Sequence, residues 1–167
     1  MRGFHSLDNQ IMPYAWGSRR AIAELLGRPS PSPEPQAELW MGVHPRAPSR
    51  ARVGDRWVPL PELIAARPEE VLGAEISARF DAQLPFLLKV LAAAEPLSIQ
   101  AHPSLAQARA GFAREQAAGL PIDAPERCYR DANHKPELIC ALTPFTALCG
   151  FRRADQVLQL IERLGLE

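Results

Sequence analysis

The chain has 167 residues, 47% of them hydrophobic, which is enough for one domain with its own core, or such a domain with a short extension. Lysine plus arginine and aspartate plus glutamate balance at 19 each, and the resulting zero net charge argues against broad electrostatic binding to nucleic acid or to an anionic membrane. No apolar run approaches the roughly 20 residues that span a bilayer, and the opening MRGFHSLDNQ lacks the apolar stretch of a signal peptide. Cys128, Cys140 and Cys149 are odd in number and form no CxxC pair. Buried free thiols in a reduced, cytoplasmic setting are the expectation.

In chain order, Ser18 is placed to cap a helix through RRAIAELLG, with Gly27 as its stop. GRPSPSPEPQ, residues 27–36, reads as a short surface loop or linker. AELWMGV alternates like a strand, and RARVGDRWVPL reads as a hairpin turning at Gly54-Asp55. PELIAARPEEVLG is helical with a break before Pro68. LPFLLKVLA, residues 84–92, reads as a buried strand carrying one charge, Lys89, and LSIQAH follows as another strand after a turn. Ser104 is placed to cap a helix through Ala118, with Gly119 as stop, and a loop runs from Pro121 to Lys135. PELICAL and FTALCGF read as strands, and ADQVLQLIERLG as a last helix. Short strands with helices between them predict a mainly β chain with helical insertions, a sandwich or jelly roll. A Rossmann arrangement is disfavoured because no Gly-rich phosphate loop follows any strand.

Several polar residues sit oddly in this scheme. Gln100 and His102 are i and i+2, so on a strand they leave one face about 7 Å apart, a spacing suited to two ligands of one ion. Lys135 and Glu137 repeat the spacing, with Pro136 forcing extended backbone between them. An amide oxygen, an imidazole and a carboxylate suit zinc or another divalent ion if the two strands meet. The plainer reading has His102 capping a turn and Glu137 paired with a surface arginine. Lys89 either snorkels to solvent or faces a polar pocket that takes an anion. Glu38 reads as a strand-edge charge or a pocket carboxylate, and Trp16 as core before site. His44 and His134 read as surface groups or supports of a site, and Arg46, Arg50, Arg52 and Arg56 as a solvated face.

Taken together, PYAWGS, AELWMGVHPRAPS, LPFLLKVL, PLSIQAHPS and DANHKPELICALTPFTALCGFR resemble type I phosphomannose isomerases, in order and along nearly the whole chain. The resemblance implies a cupin-like jelly roll, incomplete in this chain. Residues 1–150 would be the N-terminal part of the catalytic domain, and 151–167 the start of a helical insertion. It implies one zinc ion per chain, with Gln100, His102 and Glu137 as ligands. Trp16, Glu38, Lys89, Ser98 and Lys135 match residues lining the family's substrate pocket: Lys135, Glu38 and Trp16 on the catalytic side, Lys89 and Ser98 as the phosphate anchor. The implied reaction interconverts mannose 6-phosphate and fructose 6-phosphate, so the partner is a small sugar phosphate, with neither nucleic acid nor membrane. The longer enzyme is expected to be a monomer. Family members continue beyond residue 167, and a second zinc histidine and a catalytic arginine lie in that part, so this chain is expected to be an N-terminal portion. The alternative from another class is a cupin-like metal- or sugar-binding module without catalysis.

Overall fold

The structure, a computed structural model, describes residues 4–165. The chain forms two compact units, Met1–Ile99 and Gln100–Glu167.

In the first unit, β1 (Leu7–Asp8), β4 (Arg50–Val53) and β5 (Arg56–Pro59) make one antiparallel sheet in the order β1-β4-β5. The second sheet, in the order β2-β3-β6, joins β2 (Gln10–Met12), β3 (Glu38–Met41) and β6 (Leu88–Leu91), again antiparallel. One residue, Asn9, separates β1 from β2, so the chain changes sheets there. The Ser49 hydroxyl, fully buried, donates to Asn9 Oδ1 at 2.8 Å and accepts from the Gly42 N–H at 3.0 Å. The Ser49 backbone adds bonds to Gly42 and Leu60, so one residue pins both sheets and the start of the following helix.

Local chemistry sets most of the remaining elements. α1 (Ala21–Leu25) begins where Ser18 Oγ accepts the Arg20 and Ala21 N–H groups at 3.1 and 3.2 Å. The β4–β5 hairpin turns at Gly54, whose φ of +59° suits glycine. α2 (Leu60–Ala66) and α3 (Pro68–Leu72) are separate helices because Pro68 ends the first pattern, and α4 (Ala74–Arg79) follows. Ile22, Leu39 and Ala92 form one apolar cluster, and Met12, Trp40 and Ala47 a second.

The second unit carries α5 (Leu105–Ala117) and α6 (Ala154–Leu164). Ser104 caps α5 in a capping box: its hydroxyl accepts the Gln107 N–H while the Gln107 side chain accepts the Ser104 N–H at 2.9 Å.

The structure corrects the sequence reading in four places. LSIQAH forms no strand, and Ile99 is 83% exposed. PELICAL and FTALCGF form none either, with Leu138 93% exposed. Alternation makes a strand only where backbone groups ladder with a neighbour, and among the described residues these segments have no such ladder. The apolar run 84–92 is strand only from Leu88, which is 56% exposed. Cys128, Cys140 and Cys149 are exposed rather than buried because they lie on loop and unpaired extended backbone. Antiparallel sheets with interposed helices remain the architecture.

Candidate active site

In the first unit, strand geometry assembles a charged cluster. Glu38 and Trp40 are i and i+2 on β3 and share a face. Lys89 stands opposite Trp40 across the β3–β6 ladder. Both Glu38 oxygens are occupied: Trp40 Nε1 donates to Oε2 at 2.6 Å, and Lys89 Nζ lies 3.4 Å from Oε1. The ammonium also sits 6.0 Å from the Trp40 ring centroid. Glu38 is buried on the central strand of its sheet, which overturns its reading as a strand-edge charge. Lys89 does not snorkel alone: it is ion-paired, and with its side chain 31% exposed it keeps donors for a further anion. His44 packs edge-on against Trp40, with centroids 4.7 Å apart. Trp16 is half-buried and stacks on Tyr14 at 5.8 Å. Ser98 lies on exposed, non-strand backbone.

In the second unit, the Ser104 cap fixes where α5 begins, and His102 stands two residues before that cap. His102 Nε2 lies 3.4 Å from Glu137 Oε2. This contact brings together residues 35 positions apart in sequence, with no strand pairing between them. The plainer reading, an arginine partner for Glu137, is therefore not what forms. Gln100 is exposed on non-strand backbone, so the shared strand face assumed for Gln100 and His102 does not exist. Lys135 Nζ pairs with Asp131 Oδ2 at 2.9 Å, and Asp131 Oδ1 accepts the Asn133 N–H at 2.9 Å. An open cavity of about 430 Å³ is lined by His102, Gln107, Tyr129, Asp131 and Lys135, among others. Among the described residues no three His, Cys, Asp or Glu side chains gather as a metal site, so the second unit offers the His102–Glu137 pair, with Gln100 two residues away in sequence.

Sequence reasoning did not single out Trp40, Tyr129 or Asp131. Trp40 had a signal, its i+2 spacing from Glu38 on a strand. Tyr129 and Asp131 had none, because they sit in a loop whose course is set by contacts distant in sequence. The arginines around the hairpin make the solvated face expected: Arg50 pairs with Asp8 at 3.8 Å and Arg52 with Asp55 at 3.7 Å. His134 is exposed. No helix among the described residues is long and apolar enough to cross a membrane.

The model of the phosphomannose isomerase type I catalytic domain matches residues 4–154, and the chain belongs to that family. It is 49% identical over 158 residues to the mannose-6-phosphate isomerase of Escherichia coli (strain K12), covering 93% of this chain and 40% of that protein. The Homo sapiens mannose-6-phosphate isomerase is 39% identical over 168 residues, covering 95% of this chain and 37% of that protein. A crystal structure of the Salmonella typhimurium enzyme bound to its substrate, fructose 6-phosphate, and zinc is similar with a TM-score of 0.83 at 47% identity, covering 95% of this chain and 40% of that one. A zinc-bound mannose 6-phosphate isomerase structure gives 0.71 at 48% identity, covering 78% and 33%. The chain thus spans about two fifths of the length of the curated relatives it matches.

Proposed function

We propose that the chain is the N-terminal part of a zinc-dependent aldose–ketose isomerase that interconverts mannose 6-phosphate and fructose 6-phosphate. The observation that carries this reading is the 3.4 Å separation of His102 Nε2 and Glu137 Oε2. Two donors held about 2.0–2.1 Å from one tetrahedral zinc stand roughly 3.4 Å from each other, so the pair fits one zinc ion per chain, with Gln100 as a further ligand. Zinc, when bound, supplies positive charge where a sugar oxygen gains electron density as the adjacent C–H is ionised.

The chain's own residues take the other roles. Lys135, steadied by Asp131, adds positive charge at the reacting end. Lys89 and Ser98 anchor the phosphate as point charge and hydroxyl donor, and that remote binding energy is usable at the reacting carbons. Glu38 aims Lys89 and Trp40, and Trp16 gives the sugar an apolar wall. Residues 1–150 belong in this reading to a cupin-like jelly-roll catalytic domain, and 151–167 open a helical insertion, which the amphipathic α6 supports. The cytoplasm is the setting in this reading, supported by three unpaired cysteines, and the full-length enzyme is taken as a monomer.

The test continues this chain with the C-terminal three fifths of its Escherichia coli relative and assays the chimera with mannose 6-phosphate and zinc. Zinc-dependent isomerisation lost in His102→Ala is the expected result. A chimera that folds and binds zinc yet leaves the sugar unchanged would make the chain a binding module.

A further inference from the structure

Outside the residues that face the sugar, the second unit holds a buried ion pair that the proposed chemistry does not use. Arg127 is buried on the loop after α5, and Glu115 is buried near the end of α5. Glu115 Oε2 accepts the Tyr129 N–H at 2.8 Å and Oε1 the Cys128 N–H at 3.4 Å. Arg127 Nε lies 3.8 Å from the same carboxylate and donates to the Tyr129 carbonyl at 2.8 Å. Its remaining nitrogens donate to the Leu120 carbonyl and, at 3.2 Å, to Gln116 Oε1, while the guanidinium covers the Phe112 ring at 5.0 Å.

From this lock the loop returns along the helix toward its start. The Tyr129 ring packs on Gly111, and Arg114 covers it at 5.7 Å. Asp131 and Lys135 then line the same cavity as Gln107 and Ala108, and Glu137 reaches His102 just before the cap. With 1.5 Å of rise per residue, Glu115 stands about 15 Å from the first residue of α5. Glu115 does not itself line the cavity, but it holds Cys128 and Tyr129, which do.

We infer that Glu115, with Arg127, is a positioning residue: it fixes the phase of the returning loop on α5 and so sets the His102–Glu137 separation and the place of Lys135. The inference rests on the reading of the site given above. Glu115→Gln removes the charge and one of the two amide acceptors, and Arg127→Lys keeps charge but not the fork. In the full chain, each variant should weaken zinc binding about tenfold in a chelator competition, the scale seen when support of a metal ligand is lost. Each should also move the 15N imidazole signal of His102 in the metal-free chain at fixed pH. Ile22→Val, a substitution in the other unit, serves as the stability control. Loss of thermal stability with zinc affinity and the His102 signal both unmoved, as in the control, would overturn the inference. A wild-type chain that binds no zinc would sink the metal reading, and the His102 signal would still decide the positioning role.

Discussion

Lys89 and Glu38 meet at 3.4 Å across neighbouring strands, and the second oxygen of the same carboxylate holds the Trp40 N–H at 2.6 Å. One buried carboxylate thus orients a cation and an aromatic ring at once.

Replacing Glu38 by alanine should cost about 1–3 kcal/mol, mainly from the orphaned, buried Trp40 N–H. The Lys89 contribution is small because solvent screens its part-exposed ammonium. Glu38→Gln, which still offers an acceptor, should cost less. Urea unfolding of the three proteins checks this order, and equal midpoints would show that the cluster adds nothing to stability.

His102→Ala and Glu137→Ala should each weaken zinc binding by more than the roughly 10–100-fold that loss of a ligand's support costs, because each removes a donor from a pair already at ligand spacing. Dialysis against a chelator should abolish isomerase activity in the chimera. Zinc should restore it and magnesium should not, since an imidazole donor suits zinc better than a hard cation. Activity that survives complete metal removal would count against the reading.

Gly111→Ala should destabilise the chain although alanine is the better helix former by about 1 kcal/mol. A Cβ there would come within 2.6 Å of the Tyr129 ring. Overpacking of this kind costs about 1–3 kcal/mol, so a net loss is expected, with Tyr129 displaced. Tyr129→Ala in the same chain should reverse the sign, which thermal unfolding of the double variant would reveal.

Ser104→Ala should cost about 1 kcal/mol through loss of the α5 cap. The effect should show as faster amide exchange in the first turn, at Gln107 above all, whose N–H the hydroxyl now accepts. Unchanged exchange there would mean that the capping box contributes nothing.

What the sequence made legible was local. Ser18, Ser104, Gly54 and Pro68 act on their own neighbours, so caps, turn and helix break follow from residue chemistry alone. The segments 97–102 and 136–151 were misread because alternation is a local signal, whereas a strand requires a partner elsewhere in the chain. Glu115 and Arg127 look like ordinary helix and loop charges in sequence; only the folded loop buries them. The approach of His102 to Glu137 had no local signal, and family resemblance rather than spacing pointed to it. For Lys89, composition raised the right question, how a lysine sits in an apolar run, and the register of β3 against β6 supplied the answer.

The Ser49 pin has a consequence for how the first unit opens. Since β1 and β2 share a junction at Asn9, and Ser49 binds that junction to the end of β3 and the start of α2, neither sheet has a free hinge. Amides in β4 and in β3 should therefore exchange through one shared opening event with a common free energy, as a single foldon rather than two. The Glu38–Trp40–Lys89 cluster would then come apart only when the other sheet does, which ties the geometry of a charged trio to a serine hydroxyl that touches none of its members.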